Sequence, residues 1–385
     1  MQVVVSKKDL VRILDRCQGV ADKKSTMPIL GNVLLEVDGP DRLRLAATDL
    51  FLSVSSAIPA KVDKGGSIAV GARDLFERIR MMPDGQVNLT STDGTSLSVK
   101  AVGTARRFSI HGISAEEFPS LPQPDASSAP LMLPVSTVSA LIQSTQFSIS
   151  TDDSRLALNS ALVECDGQQV RMVTTDGHRL TRAEALVPGL SAQLSLLIPL
   201  KGVQQLKRIC DDAASEAARS ETEKGGEPTL AFTQQGPNAF FKVGSLNFSV
   251  KLVDAQFPPY EQVIPQASEF VVRVPRVAVA EALRAVSVAA SDRTGGVKLI
   301  LSRDTLKFET ESPESGQGFD EVSISYDGPE IAIGFNSKYF LDVTSAITDE
   351  DILVGLGGDL DPAVIRPASN GETFSLLAVV MPMRI

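Results

Sequence analysis

Leu43-Arg44-Leu45-Ala46-Ala47-Thr48-Asp49 and Val170-Arg171-Met172-Val173-Thr174-Thr175-Asp176 follow one pattern: apolar, Arg, apolar, two further residues, Thr, Asp. The two segments lie 127 residues apart. Other matches surround them. Ile68-Ala69-Val70-Gly71, ahead of the helical pattern ARDLFERI, recurs as LLIPLKGVQQLKRI from Leu196 and as IAIGFNSKYFLDV from Ile331. FSIHGISAEEFP from Phe108 is echoed 140 residues later by FSVKLVDAQFP from Phe248. A repeat of about 130 residues is too long for a solenoid unit, so each copy reads as a domain.

Punctuation places the boundaries. Pro119, Pro122, Pro124, Pro130 and Pro134 crowd one stretch, and Pro258, Pro259, Pro265 and Pro275 another. Both read as linkers, which gives domains over 1–126, 127–266 and 267–385. Each copy is expected to open with a helix, run through short strands, and then add a second helix. In SKKDLVRILDRC the apolar Leu10, Val11, Ile13 and Leu14 recur at helical spacing, with Ser6 as an N-cap and Asp9 three residues on. NVLLEV, LRLAATD, LFLSVSSAI and SIAVGA read as half-buried strands, with turns such as Asp93-Gly94. Counterpart helices fall at VSTVSALIQST, KGVQQLKRICDD, RVAVAEALRAVSVAA and NSKYFLDVTSAI, so the fold class is α+β with six helices on antiparallel sheet. The weakly apolar stretch Asp211 to Pro228 reads as a helix extension and mobile loop.

Composition narrows the function. The 385 residues are 43% hydrophobic and 22% charged, as in a soluble globular protein. The longest apolar run, Leu376 to Met381, is far shorter than a membrane span, and MQVVVSKKDL lacks a signal-peptide core; a cytoplasmic protein with no membrane association is expected. Cys17, Cys165 and Cys210 are too widely spaced for a disulfide framework or a metal pair. With only His111 and His178, and no phosphate-loop, dinucleotide or zinc-protease motif, the chain reads as a non-enzyme with no metal and no cofactor.

The net charge of −10 weighs against a nucleic-acid binder that works by overall basicity. Lys plus Arg against Asp plus Glu is 16 to 15 in residues 1–126, 11 to 14 in 127–266 and 10 to 18 in 267–385. A weakly positive first domain and an acidic last one suit head-to-tail association, or simply serve solubility. Lys7, Arg12, Arg73, Arg80, Lys201, Lys207, Arg284 and Arg293 lie in the helical patterns, either as solvated faces or as cations for a phosphate backbone. Thr175-Asp176-Gly177-His178-Arg179-Leu180 reads as a tight turn holding a structural or peptide-contacting histidine; a hydrolase using His178 with Asp176 and a β-rich scaffold are the rival classes. The terminus VVMPMRI is either a last core strand or an adaptable, methionine-lined binding surface.

These segments together resemble one family. MPILGNVLLEV from Met27, QFSIS from Gln146, TDGHRL, KLVDAQFPPYEQVIP from Lys251, IGFNSKY from Ile333 and VVMPMRI are similar, in order, to segments of bacterial DNA polymerase III β subunits, the sliding clamps. The resemblance implies three DNA-clamp domains per chain, each of two helices packed on antiparallel sheets, and a head-to-tail ring dimer around double-stranded DNA. It implies a processivity factor that tethers the DNA polymerase III alpha subunit, the clamp loader, and repair polymerases, ligase and mismatch-repair proteins, in the cytoplasm at the nucleoid.

The family's partner-peptide groove falls here on Leu158, Thr175, Gly177, His178, Arg179 and Leu180, on Pro258 and Val263, and on Val379, Met381, Pro382, Met383 and Arg384. Its DNA contacts fall on Lys24 and Lys201, with Arg73 among the helical cations. Its dimer interface falls on Arg106, Arg107 and Phe108 facing Glu314, Asp320 and Glu321, with Val288 and Ala289 nearby. Leu156, Ala157, Leu200, Gln262 and Asp74 depart from the residues common in relatives.

Overall fold

The computed structural model describes residues 1–219, 226–291, 295–313, 315–369, 371 and 373–384. Each copy applies one plan twice: a strand, a helix, then a three-stranded meander. The first copy runs Gln2–Ser6, α1 (Lys7–Val20), Asn32–Val37, Arg42–Thr48, Leu52–Lys64, then Ser67–Gly71, α2 (Ala72–Arg80), Gln86–Thr90, Ser96–Ala101, Arg107–Ile113. The second runs Leu131–Pro134, α3 (Val135–Thr145), Ser160–Gly167, Gln169–Thr175, Arg179–Leu186, then Ala192–Pro199, α4 (Leu200–Arg219), Thr229–Gln235, Asn238–Val243, Leu246–Lys251. The third runs Phe270–Pro275, α5 (Arg276–Ser287), Gly296–Ser302, Thr305–Ser312, Gly316–Ser323, then Ile331–Asn336, α6 (Ser337–Ala346), Asp351–Leu356, Ala363–Pro367, Phe374–Val380.

Two expectations are corrected. Every copy opens with a strand rather than a helix, and Ser6 ends the first of these strands without capping α1 through its side chain. Pro134 and Pro275, read as linker residues, end opening strands that are the edge strands of their sheets, where a missing N–H is tolerated. The Asp211 to Pro228 reading is met in part: α4 continues to Arg219, and residues 220–225 lie outside the described residues.

The lead strands exchange places in every copy. Ser67–Gly71, Ala192–Pro199 and Ile331–Asn336 pair with the first meander of their copies. Gln2–Ser6, Leu131–Pro134 and Phe270–Pro275 pair with the second, and Gln2–Ser6 pairs in addition with Leu52–Lys64 of the first. Neither half of a copy therefore completes its sheet without a strand from the other half.

Chain contacts divide the molecule into two units, 1–136 with 204–252 and 137–203 with 253–385, so the second copy is shared between them. The first unit carries a 12-stranded sheet, in which Leu52–Lys64 of copy one pairs antiparallel with Leu246–Lys251 of copy two. The second unit carries an eight-stranded and a four-stranded sheet; in the former, Arg179–Leu186 of copy two pairs with Phe374–Val380 of copy three. The two junctions share a register. Val54 stands opposite Phe248 and Thr181 opposite Ala378, and Val54 and Thr181 are separated by the same 127 residues as the opening repeat.

Sequence periodicity accounts for the core. Leu10, Ile13, Leu14 and Cys17 form the apolar stripe of α1, and Leu43 and Leu45 alternate into the same interior, each at 1% exposure or less. In the first unit Phe232 packs tilted on Phe241 at 5.1 Å between ring centres, and Phe241 stacks on Phe248 at 5.9 Å. Arg16, 9% exposed, reaches Asp212 at 3.0 Å and Glu216 at 3.5 Å, which compensates its burial. Cys17, Cys165 and Cys210 are buried and unbridged. Among the described residues no helix is long and apolar enough to cross a membrane.

Candidate functional site

In the second unit, the turn between Gln169–Thr175 and Arg179–Leu186 organises the candidate groove. Gly177 sits at φ +93°, a left-handed conformation that favours glycine. The Asp176 carboxylate accepts hydrogen bonds from the backbone N–H of His178 (2.9 Å) and Arg179 (3.0 Å). The Thr175 hydroxyl donates to the Arg179 carbonyl at 2.6 Å and accepts from Gly177 N–H at 3.1 Å. The turn is thus fixed by its own polar side chains, as Asp-Gly sequences allow.

Strand alternation then sends Arg179 and Leu180 to opposite faces. Arg179, 7% exposed, turns toward α6: Nε reaches Asp176 at 3.0 Å, Nη1 reaches Asp342 at 2.6 Å, and Nη2 donates to the Phe147 carbonyl. Its guanidinium lies 4.5 Å from the centre of the Tyr339 ring, on which His178 also stacks at 6.5 Å. Burial, with Asp176 nearby, raises the pKa of the Tyr339 phenol. The Asp176 carboxylate is therefore committed to Arg179 and the turn, and the His178 ring to Tyr339.

Leu180 faces the other side, in a buried cluster with Leu162, Val173, Leu197, Tyr260 and Val379. Residues 253–264 cross this face, with Val253, Phe257 and Ile264 packed on the cluster. Tyr260 fastens the segment: its hydroxyl donates to Glu164 at 2.9 Å and accepts from Arg171 at 3.0 Å. Burial and the Glu164 hydrogen bond push its phenol above the ordinary range. Along the segment, Pro258 and Val263 remain exposed, and a cleft of about 560 Å³ lies against Leu162, Leu197, Pro258 and Gln262. Past the last strand, Met381 N–H donates to the His178 carbonyl (2.9 Å) and Met383 N–H to the Gly334 carbonyl (2.8 Å), so the terminal segment is tied to both the turn and Ile331–Asn336.

The expected groove residues thus take distinct places. Leu180 and Val379 form a buried floor, Thr175 is buried beside the turn, and Gly177 and His178 are exposed on it. Val263 and Met381 are exposed apolar groups at 41% and 38%, Pro382 and Met383 are half-buried, and Arg384 is exposed. Leu158, in the turn before Ser160–Gly167, is half-buried beside Ala157, which packs on the cluster. Arg179 supports the wall from behind. Tyr260, Tyr339 and Asp342 carried no role in the sequence reading; Tyr260 lies in the matched PPYEQV segment and Tyr339 in NSKY, but their partners are distant in sequence.

The expected DNA cations are exposed helix-layer groups. Lys24 and Arg73 border one cleft of about 640 Å³ in the first unit, with Lys23 and Arg80, and Arg73 pairs with Glu77 at 2.7 Å. Lys201 is exposed on the first turn of α4 in the second unit.

The expected interface residues lie on two open strand edges. In the first unit Arg107–Ile113 pairs with Ser96–Ala101 on one side, and on the other touches Ser67–Gly71 only at Gly112 and Ile113. In the second unit Gly316–Ser323 is the terminal strand of its sheet. Phe108 is half-buried, whereas its counterparts at the closed junctions, Phe248 and Ala378, are 1% and 0% exposed. Phe319 and Val288 are exposed at 59% and 83%; Glu321 is exposed, and Asp320 and Ala289 are half-buried. Glu314 lies outside the described residues. No group of three potential metal ligands occurs among the described residues.

Comparison with known proteins covers the whole chain. Residues 1–122, 132–259 and 261–384 match, in order, the N-terminal, central and C-terminal domains of the DNA polymerase III beta subunit. The chain is 32% identical to the beta sliding clamp of Salmonella typhimurium and 31% identical to that of Escherichia coli, each over 100% of both chains. Its fold is similar to a Pseudomonas aeruginosa sliding clamp bound to griselimycin (TM-score 0.89, 29% identity) and to the Caulobacter crescentus sliding clamp (TM-score 0.88, 28% identity), each with 100% of both chains covered.

Proposed function

Because this chain belongs to the DNA polymerase III beta subunit family, the beta sliding clamps, and is as such a DNA polymerase processivity factor, we propose that it works as a closed head-to-tail dimer around duplex DNA, with the 175–180 and 379–384 segments as its partner-peptide groove. The open edges carry this reading. At both closed junctions the third meander strand of one copy pairs with the last strand of the next. The two strands left over are Gly316–Ser323 of copy three and Arg107–Ile113 of copy one.

Transferring the shared register to those strands sets Phe108 opposite Gly318, Arg107 opposite Phe319 and Arg106 opposite Asp320 of a second molecule. Phe108, Phe319 and Val288 then lose their exposure, and the arginines meet the acidic end. Two chains closed this way make six equivalent junctions and leave none of these edges unpaired, which also removes a route to aggregation. Domain limits at 126 and 266 are proposed on the same repeat.

A ring binds by linkage rather than affinity, so modest cations such as Lys24, Arg73 and Lys201 on the helix layer suffice to hold duplex DNA without reading bases. An acidic remainder opposes binding elsewhere. The apolar floor of Leu180 and Val379, with the adaptable Met381 and Met383 at its end, suits short, partly apolar segments of several competing partners: the replicative polymerase, the clamp loader, repair polymerases, ligase and mismatch-repair proteins. The chain itself makes and breaks no bond, needs no cofactor, and acts in the cytoplasm at the nucleoid.

The test is topological. After clamp-loader treatment and a high-salt wash, the protein is retained on nicked circular DNA and lost when that DNA is linearised. Equal loss from both forms overturns the ring.

A further inference from the structure

The first unit holds a cavity of about 320 Å³ where Leu52–Lys64 of copy one meets Leu246–Lys251 of copy two, with the segment from Leu121 to Pro130 along its side. Val54 and Phe248 turn into the core, so strand alternation sends their neighbours Ser53 and Ser249 to the cavity face. The shared register relates this place to the groove. Ser53 pairs with Ser249 here as Leu180 pairs with Val379 there, so two serines stand where the groove has its apolar floor.

The face offers hydrogen-bond donors that nothing in the chain uses. Ser55, Asn247 and Lys242 form one row across three strands, and Ser53, Ser249 and Phe240 the next. Ser249 and Ser55 are 5% and 9% exposed and border the cavity, yet their hydroxyls make no hydrogen bond among the described residues. Ser53, by contrast, shares one with Thr48 at 2.9 Å. Lys242, exposed at the same cavity, forms no ion pair among the described residues. The carboxylate of Asp125, which also borders it, accepts from the Gln235 amide. Two buried hydroxyls left idle beside an unpaired ammonium suit an anionic acceptor.

A strained turn adjoins this face. Leu50 takes φ +75° at the position where, 127 residues on, Gly177 takes φ +93°. A side chain with a Cβ resists that conformation, and here it holds Leu50 and Phe51 exposed to solvent. The Lys251 N–H donates to the Phe51 carbonyl at 2.8 Å, and its ammonium lies 5.7 Å from the Phe51 ring centre. Lys251 is two residues beyond Ser249, so this apolar pair sits one row along the same face.

We propose that the cavity is a further peptide site, for an extended partner segment that carries an acidic side chain. Its carboxylate accepts from Ser55, Ser249 and Lys242, while an apolar side chain of the same segment rests on Leu50 and Phe51. Charge complementarity selects this occupant, and the serine floor disfavours the apolar segments suited to Leu180 and Val379. Rows on a sheet face and alternate side chains of an extended peptide both repeat at about 6.8 Å, so the acidic and apolar residues stand two or four positions apart. The site is carried by its own residues and stands apart from the groove reading.

The experiment uses the full chain and fluorescence anisotropy with labelled seven-residue peptides. Each is serine except for one leucine and one glutamate, two or four positions apart in either order, and each has a glutamine counterpart. One glutamate peptide is expected to bind about tenfold tighter than its counterpart. Lys242→Gln and Ser249→Ala each remove most of that preference, whereas Phe51→Ser weakens both peptides by the same factor. Equal binding of every glutamate and glutamine pair overturns the proposal. So does a preference that survives Lys242→Gln but disappears in His178→Ala, which belongs to the groove. Competition by acetyl-glutamate alone, as effective as the best peptide, makes the cavity a small-carboxylate site and also overturns it.

Discussion

The guanidinium of Arg179 and the carboxylate of Asp342, 163 residues apart, meet at 2.6 Å beneath the turn that carries His178. The pair ties the groove wall to α6, and the Tyr339 ring closes over the same guanidinium. Removing one partner of a buried pair leaves an uncompensated charge, normally a cost of about 3–5 kcal/mol. Here Asp176 and the Phe147 carbonyl still hold Arg179, so Asp342→Asn is expected to cost about 1–3 kcal/mol in denaturant unfolding. Loss of peptide affinity accompanies it because the groove wall loses its tie to α6, and the dimer constant stays unchanged. A native-like melt with unaltered peptide binding would show that Asp342 supports nothing in the groove.

The register carried from the closed junctions makes a second, quantitative expectation. Arg107→Glu weakens dimerisation, more strongly at low salt, because exposed charges act over about 10 Å at 0.1 M salt and less as salt rises. Arg106 is predicted to stand opposite Asp320, so Arg106→Asp weakens the dimer and Asp320→Arg in the same chain restores part of it. Sedimentation equilibrium measures both. An unchanged dimer constant in the single variants contradicts the charge argument, and failure of the swap to rescue contradicts the register.

Much of this arrangement was legible in the residues, for identifiable reasons. The repeat at Leu43 and Val170 survives because that strand is buried and central in both copies, so its pattern is tightly held. Its third version, Leu306-Lys307-Phe308, keeps only apolar, basic, apolar, since Glu311-Ser312 stand where the others have Thr-Asp. The opening strands were hidden because QVVVS passes straight into α1 with no turn residue, and LMLP and VVRVP end in prolines that read as breaks. Arg179 sits in a segment rich in groove residues, yet the two-residue period of a strand turns it inward.

Burial of the thiols gives a third prediction. Desolvation pushes Cys17 and Cys210 up to about 12 and Cys165 up to about 11. The thiolate is the reactive form, so at mildly alkaline pH these groups are almost wholly unreactive. Native protein is expected to show no rapidly labelled thiol with a chromogenic disulfide reagent, and denatured protein all three. A fast-reacting thiol in the native state would mean local opening of the α1 stripe, the α4 stripe or the Ser160–Gly167 strand.

Asp349 supplies a pH signature in the second unit. Its carboxylate accepts hydrogen bonds from the hydroxyl of Ser369 and from its backbone N–H at 2.8 Å, and these hold its pKa below the ordinary 3.8. A carboxyl depressed by folding contributes stability that is fully present above its unfolded value and is lost as pH falls through the lower folded one. Ser369→Ala deletes the larger of the two hydrogen bonds and leaves the backbone one. The group is partly solvated, so the loss near neutral pH is about 0.5 kcal/mol. The deficit should shrink as pH drops below 3.8, because the protonated carboxyl no longer rewards the hydroxyl. Unfolding curves for the two proteins, taken from neutral pH downward, should therefore converge on the acid side; a deficit that stays constant with pH would assign the effect of Ser369 to packing rather than to the charge of Asp349.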